Sequence, residues 1–136
     1  MSIQTPTAPD VMSQNDLGFA VLSPAPIEGY YSYEAPTTGW GFLPFNALSA
    51  EGDMTMARSA NGDSLMCGAT LNPQNIAGKI AVLYRGVCEF GTKALNAQNA
   101  GAIGVILVNN EASGVTMDIG AGVYGGAVTI PVVMVA

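Results

Sequence analysis

The chain has 136 residues, of which 49% are hydrophobic and only 10% charged, with 17 glycines, two cysteines, no histidine and a formal net charge of −6. That length fits one domain with an ordinary core. The acidic balance, with Arg58, Lys79, Arg85 and Lys93 as scattered cations, argues against nucleic acid and anionic membranes as partners. The lack of histidine closes the Ser-His-Asp, Cys-His and HExxH routes to hydrolysis.

Residues 1–16 are rich in Thr, Pro, Ser and Gln without periodicity, and read as a linker or edge segment. They lack the basic and apolar regions of a signal peptide. Residues 17–23 (LGFAVLS) form a short strand pattern ended by prolines. Residues 30–46 contain Tyr30, Tyr31, Tyr33, Trp40, Phe42 and Phe45 among glycines and prolines, the pattern of a strand followed by an aromatic loop. The alternation of 53–58 (DMTMAR) predicts a half-buried strand, and 59–64 (SANGDS) carries strong turn chemistry.

The run 79–84 (KIAVLY) has the near-continuous apolar character of a strand covered on both faces. It breaks at Arg85-Gly86, and a helix is predicted over about 89–101. Phe90, Ala94, Ala97 and Gly101 fall on its inner face, and Lys93, Asn96 and Asn99 on a solvated one. A second buried strand follows at 103–108, and the last lies at 130–135. Between them, 110–127 reads as a glycine-rich loop with a short strand near 115–119. Its GAGVYGG stretch lacks the Lys-Ser/Thr and the following helix of a phosphate loop. No run reaches the ~20 apolar residues of a membrane span.

One helix against six or seven strands predicts a mainly β, α+β fold. The expected architecture is a β-sandwich or open barrel carrying the helix inside a βαβ-like unit. Two cysteines are too few donors for a structural zinc site, so a Cys67–Cys88 disulfide is the better reading and implies an oxidising compartment. A reactive thiol at the helix start is the alternative for Cys88. Arg85 and Gly86 read as a structural turn, with Gly86 supplying backbone freedom and Arg85 anchoring carbonyl or carboxylate groups. No two carboxylates project together into a cleft, and no cofactor or metal site is expected.

The order of strand, Arg85-Gly86, Cys88, Phe90 and an alanine- and asparagine-rich helix (GKIAVLYRGVCEFGTKALNAQNAG), followed by AIGVILVNN and TIPVVMVA, resembles the protease-associated (PA) domain. The resemblance covers about half the chain closely. It implies a non-catalytic module of a larger secreted protease, either a subtilisin-like serine protease or a metallopeptidase. Its partners would be protein or peptide substrates and the catalytic domain of the parent chain. It also supports the cysteine pair, since PA domains of secreted proteases often carry one at matching places. The expected domain is 17–136, cut at its C-terminal end. Contact residues are expected on the two long loops, at Tyr31, Trp40, Phe42, Met117 and Tyr124. A different class of reading makes the aromatic loop 30–45 a sugar platform in a stand-alone carbohydrate-binding or adhesion module.

Overall fold

The structure, a computed structural model, describes residues 19–21, 29–31, 33, 36, 38–43, 50–110 and 119–135. Six strands and one α-helix lie among them, with short 3₁₀ turns at Pro73–Asn75 and Gly125–Ala127. The strands β1 (Phe19–Val21) and β2 (Gly29–Tyr31) pair antiparallel, with Ala20 opposite Tyr30. The other four, β3 (Met54–Met56), β4 (Ile80–Tyr84), β5 (Gly104–Val108) and β6 (Val132–Val135), form one parallel sheet in sequence order. The helix α1 (Phe90–Asn99) makes the crossover between β4 and β5.

The three apolar runs expected to share a sheet do so, in the register Val82–Ile106–Val133. The sandwich or barrel is corrected by the strand directions: the four-stranded sheet is entirely parallel, which makes the described unit α/β. Parallel strands need crossovers, and the first two connections here are a turn-rich segment and a helix. Near-continuous apolar runs are what such a sheet requires, because side chains alternate between two covered faces. Ala81, Leu83, Val105, Leu107, Val132 and Met134 point to the larger cluster shared with the helix, and Ile80, Ile106 and Val133 to the smaller one opposite.

Small residues bring the helix close to its neighbours. Ala94 and Ala97 are fully buried in the larger cluster, with Phe90 packed at its border. Gly91 faces the backbone of Ala121 and Gly125 so closely that a β-carbon there would collide with the Ala121 carbonyl oxygen. The helix ends in a Schellman motif: Gly101 N–H donates to Gln98 O (2.9 Å) and Ala102 N–H to Ala97 O (3.1 Å). Gly101 takes φ +97° there, which a residue without a side chain adopts freely.

Lys93 departs from the expected solvated face. It is fully buried, and Asn96 is partly buried. The helical period explains this, since Lys93 lies three residues after Phe90 and four before Ala97, beside the buried stripe. Residues 1–16, expected to be a linker or edge segment, fall outside the described residues, as does most of the strand expected near 115–119. Ile119 itself is buried and outside any strand.

Candidate functional site

The C-terminal end of β4 feeds a tight turn that is fixed from several directions. Arg85 N–H donates to Val108 O (3.0 Å), and its Nη1 donates to Asn109 Oδ1 (3.1 Å). Asn110 Nδ2 returns a bond to Arg85 O (3.0 Å). Arg85 therefore anchors the turn through a side-chain amide on the neighbouring strand end. Gly86 adopts φ +126°, and Cys88 N–H then donates to Gly86 O at 2.9 Å. With φ +70° at Val87, this closes a three-residue γ-turn with a β-branched residue at its centre, a rare and strained arrangement. Strain of this kind costs about 1–3 kcal/mol and persists only where surroundings over-determine it.

The surroundings here are covalent and polar. Cys67 and Cys88 are bonded to each other, with S–S 2.06 Å and Cα–Cα 5.8 Å. The partner segment 64–67 is held in turn by helix and strand. Tyr84 N–H donates to Ser64 O (2.9 Å), Lys93 Nζ to Leu65 O (2.8 Å) and Asn96 Nδ2 to Met66 O (2.8 Å). Met66 sits at φ +53°, its side chain is fully buried, and its N–H donates to Ser59 Oγ (3.0 Å). Burial pushes the Lys93 ammonium down to about 8, against the opposing pull of the Asp63 carboxylate. The Asp63 carboxyl is held below its ordinary value, first by the Leu65 N–H and also by Asn61.

The second wall is the glycine-rich segment 119–127. Trp40 Nε1 donates to Ile119 O (2.9 Å), and Gly41 N–H donates to Gly125 O (3.0 Å). Gln98 clamps the far end, donating to Ala127 O (3.1 Å) and accepting from Thr129 N–H (2.7 Å). Glu89 ties the two walls together. It follows Val87 by two residues, and its Oε1 accepts from Val123 N–H (3.4 Å). On this framework Val87 is 90% exposed, Val123 80% and Tyr124 51%. The strained turn and the loop pinned by Glu89 thus leave three apolar side chains in solvent.

Of the expected contact residues, Tyr124 is exposed. Trp40 and Phe42 are not: both are buried in the larger core cluster, with ring centroids 5.5 Å apart. Trp40 has its indole N–H satisfied and its ring beside Gly125, the usual fate of an aromatic under a loop. That removes them as a sugar platform. The backbone of Tyr31 lies in β2, and Met117 lies outside the described residues. Val87 and Lys93 carry roles that sequence reasoning missed. The helical spacing held a signal for Lys93, while Val87 gives none before the turn is built.

The profile of the PA domain matches residues 50–136. The chain is 33% identical over 109 residues to human ER degradation-enhancing alpha-mannosidase-like protein 3, covering 79% of this chain and 10% of that protein. It is 43% identical over 67 residues to leucine aminopeptidase 2 of Trichophyton equinum, covering 49% of this chain and 12% of the enzyme. The solved structure of BSAP, a zinc aminopeptidase from Bacillus subtilis, superposes with a TM-score of 0.52 at 28% identity, over 77% of this chain and 23% of that one. The chain thus spans a small part of each relative. The strand–turn–helix–strand order, the profile match and the shared fold carry one conclusion: the chain belongs to the PA domain family.

Proposed function

We propose that this module is a non-catalytic accessory domain of a larger secreted or lumenal peptidase, and that it governs which folded protein substrates reach the catalytic domain. The observation that carries this reading is the exposed set Val87, Val123 and Tyr124, presented by a turn whose strain is held by the disulfide and by hydrogen bonds. Likeness to aminopeptidases supports a peptidase parent. The disulfide and the likeness to an ER-named relative support an oxidising compartment. The chain's own residues supply the exposed apolar side chains, and with no histidine they lack the commonest general base.

The test compares kcat/KM for a short peptide and for a folded protein, using the parent enzyme with and without this domain. The expected outcome is little change on the peptide and an altered rate on the protein. Val87→Asp with Tyr124→Asp in the intact parent should reproduce the effect of deletion on the protein substrate at unchanged Tm. An equal loss on both substrates would mean that the domain supports the stability of the catalytic domain, and the reading would fall.

A further inference from the structure

The chain has four Lys and Arg residues against ten Asp and Glu, yet two of the four cations meet at one cavity. A cleft of about 440 Å³ lies beside β3, walled by Thr55 and Met56, by the turn 58–62 and by the segment 70–79. Arg58 and Lys79 both line it, and among the described residues no carboxylate does. The rest of the wall is largely hydroxyl and amide, from Thr70, Asn72 and Asn75 among others. Arg58 Nη1 spends one hydrogen bond on Gly62 O (3.1 Å) and has further N–H donors. Lys79 makes no side-chain bond among the described residues, while its backbone is fixed on both sides by Ile76 O (3.0 Å) and Ile103 N (2.9 Å). Such a concentration of positive charge in an acidic chain focuses the field on anions.

We infer that this cleft binds the free carboxylate end of a peptide, with Arg58 and Lys79 holding the carboxylate and the β3 edge receiving the chain. Three features favour a peptide over a bare phosphate. The volume lies within the ~300–1,000 Å³ range of small-ligand sites and accommodates a few residues. Leu71, 75% exposed, and Met56 offer apolar contact beside the cations. Last, β3 is the outer strand of the described sheet. Ile80 N–H bonds to Asp53 O and Ala57 N–H to Val82 O, so the odd positions of β3 face β4 and the backbone of Met54 and Met56 faces away. An extended peptide pairs with such an edge through main-chain hydrogen bonds. The site uses no residue of the apolar surface around Val87 and Tyr124, and stands or falls apart from it.

The experiment titrates the 136-residue chain with acetyl-Ala-Ala-Leu bearing a free carboxylate, with its C-terminal amide, and with inorganic phosphate, following amide chemical shifts at low salt. The free acid should shift residues around 55–60 and 70–79, and amidation should weaken binding by about tenfold or more, as expected for a lost charge-assisted pair. Lys79→Met should weaken the acid about tenfold at unchanged Tm, with Arg58→Met as the second variant. Equal binding of acid and amide, binding of phosphate alone, or no shift with the acid at millimolar concentration would each overturn the assignment. So would full binding by a folded Lys79→Met protein.

Discussion

Lys93 carries an ammonium into a fully buried position and satisfies it on a backbone carbonyl 28 residues away. Its long stem suits that role, since four methylenes bury along the helix face while the head donates at the far side. Burial disfavours the charged form, which is why the group titrates at about 8 instead of near its ordinary 10.5. The sign of the stability effect follows from proton counts. Below about 8 folded and unfolded chains both hold the proton, and the burial penalty is fully present. Between there and 10.5 the unfolded chain keeps a proton that the folded chain has released, so stability rises with pH. Denaturant midpoints measured between about pH 7 and pH 9.5 should therefore climb in the natural protein and stay flatter in Lys93→Met. Parallel curves for the two proteins would show that Lys93 keeps its ordinary titration in the folded state.

At the scale of the helix, close approach governs tolerance. Gly91 and Ala97 both lie where the next atom outward is already protein: the Ala121 carbonyl in one case, the sheet-side cluster in the other. Gly91 is among the better-separated tests, because an added methyl meets backbone that cannot rotate away. Gly91→Ala should lower stability despite the higher helix propensity of alanine, worth about 1 kcal/mol in an open helix. Ala97→Arg should cost about 3 kcal/mol or more, by forcing volume and charge into a filled contact. Chemical denaturation of both variants checks the helix face directly. A Gly91→Ala protein more stable than its parent would mean that segment 119–125 sits farther from the helix than the structure places it.

Across the whole molecule, the disulfide is a long-range covalent constraint, joining the turn at 86–88 to segment 64–67. It closes a span of 21 residues that includes all of β4, for which the chain-entropy account gives about 3 kcal/mol. Its local effect differs from that global one. Cys88 is the third residue of the γ-turn, and Cys67 adjoins the positive-φ residue Met66. A Cys67→Ser, Cys88→Ser protein should lose about 3 kcal/mol of stability. Amide exchange should accelerate first at residues 64–67 and 86–88, while the β4–β5 ladder stays protected. Uniform acceleration over the sheet would assign the bridge a purely global role.

Much of this architecture is legible without coordinates because it is written locally. The apolar runs at 79–84, 103–108 and 130–135 mark buried strands, and the 3.6-residue recurrence of Phe90, Ala94 and Ala97 marks the helix and its inner face. Gly101 marks the helix end, and the strand–Arg-Gly–Cys–helix order identifies the family. What the sequence could not carry is set by distant partners. Strand composition says that a run is buried on both faces, and leaves open which strand lies beside it and in which direction. The all-parallel pairing of β3 to β6 is therefore a tertiary outcome. The same holds for Trp40, whose burial depends on the carbonyl of Ile119, and for Lys93, whose partner carbonyl belongs to Leu65. Val87 belongs here as well. Its strained turn exists because a disulfide, a strand end and a helix start converge on three residues, a convergence that only the folded chain brings about.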